Sequence, residues 1–201
     1  MMEAISCNCT GIVKSGFRKP DWKIDYGKVK VLMISEAPPG NAGDYYSEER
    51  TDYMVTTIQA FQDAGINVKG LKDIISEGFQ ITTAVKCPKI EYSIPNSTIK
   101  SCSQLLENEL ELYPNVKVYM LMGDVAISAM NNIARKRFGK RVIPAGSTYK
   151  IRGNEYMFGD IRVFPSYLQT GKNYLIEKSK RTMIAEDIKK AFELINKNCY
   201  L

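Results

Sequence analysis

Histidine is absent from this 201-residue chain. That removes the commonest general base, the commonest metal ligand and every mechanism that pairs a nucleophile with an imidazole. Chemistry has to come from carboxylates, Tyr, Ser, Lys or backbone amides. One carboxylate stands out: Glu36 lies in Ser35-Glu36-Ala37-Pro38-Pro39-Gly40, directly after the apolar run from Val29 to Ser35. A rigid turn bearing a carboxylate at a strand's C-terminal end sits where open α/β sheets bind ligands. A plain strand-to-loop exit is the simpler alternative. Five cysteines stand at positions 7, 9, 87, 102 and 199. With an odd count and no export signal a disulfide framework is not expected, which leaves metal binding or isolated thiols.

The elements that must hold these residues follow from periodicity. After an irregular segment to about residue 27, a first strand over 29–35 leads into a helix over 52–64, where Met54, Ile58 and Phe61 recur at helical spacing. A short helix over 71–77 precedes a second strand over 79–85, rich in β-branched residues and ended by Lys86-Cys87-Pro88. A helix over 97–112 carries Cys102, and a third strand over 116–122 runs into Gly123, with Asp124 expected as the N-cap of the next helix. A hairpin over 156–158 and 161–164 turns at Gly159-Asp160. A loop over 165–173 follows, and then a C-terminal helix with the apolar stripe Ile184, Ile188, Ala191 and Ile195. This alternation predicts a three-layer α/β/α sandwich with a mostly parallel central sheet, in a single domain over the whole chain.

Composition narrows the partners. The net charge of +6 suits an anionic partner such as nucleic acid, and is also an ordinary route to solubility. Arg135, Lys136, Arg137, Lys140, Arg141, Lys150 and Arg152 follow one another with no acidic residue among them, as a solvated surface or a track for a phosphate backbone. No apolar run approaches the ~20 residues that span a bilayer, and residues 1–16 lack the pattern of a cleaved leader. The expectation is a soluble, cytoplasmic protein.

Three junctions fall at one end of the expected sheet: residues 36–40, 86–88 and 164–173. Their order and content resemble the uracil-DNA glycosylase superfamily, especially its iron-sulfur (family 4-like) branch. Ser35-Glu36-Ala37-Pro38-Pro39 is similar to that branch's Gly-Glu-Ala-Pro-Gly, and Thr82-Thr83-Ala84-Val85-Lys86-Cys87 to its Thr-Asn-Val-Val-Lys-Cys. Cys102 stands about one helix later, as in the branch. Val118-Tyr119-Met120-Leu121-Met122-Gly123 is similar to its strand running into Gly, and Phe164-Pro165-Ser166-Tyr167-Leu168 to its closing His-Pro-Ser motif. The likeness covers roughly residues 7–195. Two departures fall on the chemistry: Thr83 replaces the family's base-reading Asn, and Phe164 replaces the His that stabilises the leaving uracil anion.

The resemblance implies a DNA-repair glycosylase that extrudes a base and hydrolyses its N-glycosidic bond. Its alternative is a non-catalytic member that binds nucleic acid or a nucleobase. Under the first reading Glu36 orients loop amides or positions a water, Asp44 is the nearest other carboxylate able to act as base, and Ser166 is a catalytic candidate on the closing loop that in the family touches the minor groove and the leaving group. Ala37 and Pro38 line the base site, Tyr45 or Tyr46 offers a stacking face, and Thr83 meets the base edge, where a changed partner alters specificity. Tyr167, Gln169 and Lys172 are expected to contact DNA. The plainer roles for these side chains are packing and local backbone bonding. In the iron-sulfur branch, cysteines at the places of Cys7, Cys9, Cys87 and Cys102 hold a [4Fe-4S] cluster, with a two-residue spacer where Cys7 and Cys9 have one. Zinc and separate reduced thiols are the alternatives. DNA is the expected partner, and the protein is expected to be a monomer.

Overall fold

The computed structural model describes residues 7–14, 23–38, 51–169 and 171–197. Three strands, β1 (Val31–Ser35), β2 (Phe79–Thr83) and β3 (Val118–Met122), are buried at every position. β1 and β3 are the near-continuous apolar runs that strands covered on both faces need, whereas β2 also buries Gln80, Thr82 and Thr83. β4 (Tyr156–Phe158) and β5 (Ile161–Ser166) complete a sheet of order β2-β1-β3-β5-β4, with β4 alone antiparallel. The register pairs Ser35 with Thr83, Ile34 with Leu121 and Met122 with Ser166. The C-terminal ends of four parallel strands therefore finish in one row.

Helices cover both faces. Leu32, Ile34, Tyr119, Leu121 and Val163 pack toward α3 (Asn96–Leu110) and α4 (Asp124–Phe138). Val31, Met33, Phe79, Ile81, Met120 and Phe164 pack toward α1 (Asp52–Asp63), α2 (Leu71–Ser76) and α7 (Lys178–Asn196). The predicted three-layer sandwich is thus observed, each strand alternating its side chains between two cores.

Several boundaries differ from expectation for physical reasons. β5 runs through Pro165 to Ser166. Arg162 donates its N–H to Lys117 of the β3 side, so by alternation the missing N–H of Pro165 faces the other edge, beyond the end of β4. Gly123, at φ +98°, is the N-cap of α4, and Asp124 is its first helical residue rather than its cap. The left-handed turn needed at this strand exit favours glycine and starts the helix one residue early. Two short helices, α5 (Thr148–Ile151) and α6 (Gly171–Ile176), occupy stretches read as basic surface and as loop.

The basic run is not uniformly solvated. Lys136 and Arg137 hold Glu107 at 2.6 and 2.7 Å, and Arg152 turns inward to Asp187 at 2.7 Å. Across the other face, Arg181 of α7 pairs with Asp63 of α1, whose carboxylate also accepts from the Tyr174 hydroxyl at 3.0 Å. Arg181 holds the Asp63 carboxyl below the usual carboxylate range, and Lys136 with Arg137 does the same for Glu107. Such lowered groups contribute stability that is complete above the unfolded-state value, near about pH 4, and lost as pH falls through the folded value. Denaturant-unfolding stability is expected to decline below about pH 4, and Asp63→Asn to make that decline shallower. An unchanged acid limb in the variant would remove Asp63 from this role.

Candidate active site

β1 leaves the sheet at Ser35 and delivers Glu36, half-buried, onto the wall of the crevice. Its backbone is fixed because the ladder continues past the strands: Ala84 donates to the Ser35 carbonyl at 2.8 Å and Val85 to that of Glu36 at 2.9 Å. Its carboxylate accepts from Lys89 Nζ at 3.1 Å. A Cβ placed on Gly123 would meet Glu36 Oε1 and Leu168 Cβ, each at 3.5 Å. The exits of β1, β2, β3 and β5 therefore meet around one carboxylate. Ala37 is half-buried against the α3/α4 core and Pro38 is buried. Asp44, Tyr45 and Tyr46 lie outside the described residues.

A polar cluster lies inside this row. Ser35 Oγ is 3.2 Å from the Tyr53 hydroxyl, which also receives Gln169 Nε2 at 3.1 Å. Thr56 Oγ1 donates to the Gln169 carbonyl at 3.3 Å. Thr83, register partner of Ser35, is fully buried, and neither its hydroxyl nor Gln169 Oε1 has a partner among the described residues. Whichever way that carboxamide is turned, one end remains unmatched. Buried polar atoms without partners are costly, and they concentrate where a structure waits for a ligand or water.

Two of the expected site residues are enclosed in the structure. Gln169 is enclosed and bonded to Tyr53, not presented to a DNA strand, because Thr56 and Tyr53 of α1 draw it inward. Ser166 is also enclosed, its hydroxyl committed to Asp187 Oδ2 at 2.7 Å, while its carbonyl accepts the Gly123 N–H at 3.0 Å. That places Ser166 as a support of the crevice wall. Tyr167 is half-buried beneath Lys180, whose Nζ is 5.6 Å from the ring centroid. Lys172 falls in α6, with its side chain outside the described atoms. Phe164 is buried on the α7 side with the Arg162 guanidinium 4.6 Å above its ring, so this position supplies no polar group to a leaving base. Tyr53, Lys89 and Asp187 were not anticipated. For Tyr53 a signal existed in Thr56 and Thr57, which share its helical face three and four residues on and are buried with it.

The thiols gather beside the exit of β2. Residues 7–14 run along it: Val13 donates to the Pro88 carbonyl at 2.8 Å, Ile90 to that of Gly11 at 3.0 Å, and Thr98 Oγ1 exchanges bonds with Thr10 at 2.8 and 2.9 Å. Gly11, at φ +70°, has no room for a side chain, since a Cβ would come within 2.9 Å of the Pro95 ring. Cys9 and Cys102 lie with sulfurs 3.9 Å apart. Burial, with Cys7 and Cys102 nearby, pushes the Cys9 thiol up to about 12. Burial, with Cys102 and Cys7, also raises Cys87, whereas the Cys9 backbone amide lowers Cys7. Among the described residues no group of three or more His, Cys, Asp or Glu side chains is arranged to hold a metal ion. Also among them, no helix is long and apolar enough to cross a membrane.

The profile of the Uracil DNA glycosylase superfamily matches residues 23–190. A relative similar in sequence is the Type-5 uracil-DNA glycosylase of Thermus thermophilus, 26% identical over 100 residues. That stretch is 50% of this chain and 46% of the relative, so the alignment spans about half of each.

Proposed function

Because the chain belongs to the uracil-DNA glycosylase superfamily, we propose that it removes uracil or another deaminated base from DNA by hydrolysing the N-glycosidic bond. The observation that carries this reading is the convergence of four strand exits on Glu36, held by Lys89 against Gly123. In the reaction the bond from C1′ to the base nitrogen breaks and its electron pair leaves with the base. The sugar becomes oxocarbenium-like, and water adds at C1′ while giving up a proton. Glu36 positions that water or orients the loop amides of Ala37 and Pro38, and Asp44 takes the proton. Tyr45 or Tyr46 stacks on the extruded base, and Thr83 meets its edge with the hydroxyl that has no partner among the described residues. With no imidazole at Phe164, the leaving anion depends on backbone donors, so recognition or rate differs from that of members with both polar groups.

DNA is the partner in this reading, bound by a monomer of one domain in the cytoplasm. The reading extends to a [4Fe-4S] cluster held by Cys7, Cys9, Cys87 and Cys102. Four thiols are the donor set such a cluster takes, though among the described residues they are not gathered into one metal-holding group, so binding would have to draw them together and ionise those that burial keeps protonated. The cluster would pin residues 7–14 to the exit of β2 and to α3, and takes no part in the hydrolysis. Anaerobically purified protein without iron or visible sulfide-to-iron absorbance would contradict it.

The buried Phe164 and the committed Ser166 hydroxyl favour a second reading, a member that binds DNA without cutting it. The deciding experiment is an excision assay on single- and double-stranded oligonucleotides carrying uracil, hypoxanthine or xanthine, with Asp44→Asn as control. Cleavage at one lesion that the variant loses supports the glycosylase. Salt-sensitive binding with no cleavage on any substrate supports the binder.

A further inference from the structure

We propose that Cys9 and Cys102 form a disulfide site: in a chain that carries no cluster, a small-molecule disulfide oxidises them to a covalent bond that ties residues 7–14 to α3. Their sulfurs lie 3.9 Å apart, in van der Waals contact, and both side chains are buried. The bond has a length of about 2.05 Å, so each sulfur has to move only about 1 Å, a small rotation about χ1. The backbone holds the two residues to this approach. Thr10, next to Cys9, exchanges hydrogen bonds with Thr98 at 2.8 and 2.9 Å, and Thr98 stands one helical turn before Cys102 on the same face of α3. Cys87 is turned elsewhere, its thiol directed at the Lys14 carbonyl 4.0 Å away.

The oxidant enters through Cys7. Cys9 and Cys102 are shielded, at 2% and 4% exposure, whereas Cys7 is half-buried and separated from Cys9 by a single residue. Cys7, as thiolate, attacks one sulfur of the oxidant, which forms a mixed disulfide and releases a first small thiol. Cys9 then displaces the second small thiol from Cys7, and Cys102 attacks Cys9 and sets Cys7 free. In sum two protein thiols are oxidised, and their two electrons and two protons leave with the two small thiols. Both cysteines belong to the donor set of the proposed cluster, so bond and cluster exclude each other.

The bond also reaches toward the crevice. Ile12 bridges Lys89, Val13 donates to the Pro88 carbonyl and Ile90 to that of Gly11, while Lys89 holds Glu36. Fixing Cys9 to α3 therefore stiffens the segment against which Lys89 is seated. Only this consequence for Glu36 rests on the proposed function; the disulfide itself does not.

The test treats the full chain, freed of iron, with oxidised glutathione, then alkylates the remaining thiols and maps the peptides without reduction. The expected product is a cross-link between Cys9 and Cys102, with Cys7 and Cys87 alkylated. Cys102→Ser should abolish it, Cys7→Ser should slow its formation about tenfold, and Cys87→Ser should leave it unchanged. In the oxidised chain, hydrogen exchange at the Val13 and Ile90 amides is expected to slow about tenfold, a readout that needs no variant. A bond that stops between Cys7 and Cys9, one that takes in Cys87, or full retention of free thiols overturns the proposal. Cross-linking with unchanged exchange at both amides overturns its link to the crevice. The cross-link in a protein that excises no base would overturn the glycosylase reading alone.

Discussion

Asp187→Ala is expected to lower the free energy of unfolding by about 4 kcal/mol. The Asp187 side chain is 1% exposed and collects three donors: Arg152 Nη2 at 2.7 Å, Arg152 Nε at 3.2 Å and the Ser166 hydroxyl at 2.7 Å. Removing the carboxylate leaves a largely enclosed guanidinium without its main counter-charge and a buried hydroxyl without an acceptor. Arg152 retains the Met183 carbonyl and the exposed Glu186, which do not replace a buried partner. Since the Ser166 carbonyl also holds the Gly123 N–H, the damage reaches the crevice wall. Urea titration measures the loss. The double variant Arg152→Met with Asp187→Leu should recover most of it, because an apolar pair carries no stranded charge. A loss below about 1 kcal/mol in the single variant would show that the pair does not hold the end of β5.

Glu109→Ala should cost about 3 kcal/mol by the same physics on the opposite face of the sheet. Lys86 is buried, and its ammonium group donates to Thr82 Oγ1 at 2.9 Å, to the Thr83 carbonyl at 2.6 Å and to Glu109. Glu109 in turn accepts from the Thr82 hydroxyl at 2.7 Å. The network ties the end of β2 to α3, between Thr83 and Cys87. Lys86→Met removes the buried charge together with its needs, so it should cost less than Glu109→Ala, which strands the charge. The reverse order in denaturant melts would contradict the assignment of Glu109 as the counter-ion.

β1 and β3 were legible because burial on both faces demands continuous apolar runs, as in Val31–Ser35, and the edge strand β2 was legible from its β-branched residues and the Pro88 that follows. The motifs around Glu36 and Cys87 place the exits of β1 and β2 at the same end from sequence alone. The ends of elements were harder to read. Pro165 looked like a strand terminator, and only knowledge of which way its missing N–H faces shows that it continues β5. The basic stretch over 135–152 looked like surface because its acidic partners, Glu107 and Asp187, lie far away in sequence. For the same reason Ser166 read as a catalytic candidate on an open loop and Gln169 as a DNA contact. Their partners Asp187 and Tyr53 are 21 and 116 residues distant, and no local pattern announces such pairing.

Under the proposed function, Glu36 serves the removal of a base. Single-turnover excision from a uracil-containing oligonucleotide, measured beside its binding, tests this most directly. Glu36→Gln is expected to lower the excision rate about a hundredfold or more while binding changes only a few-fold, the signature of a group that acts in the transition state. Equal excision by the two proteins would contradict it.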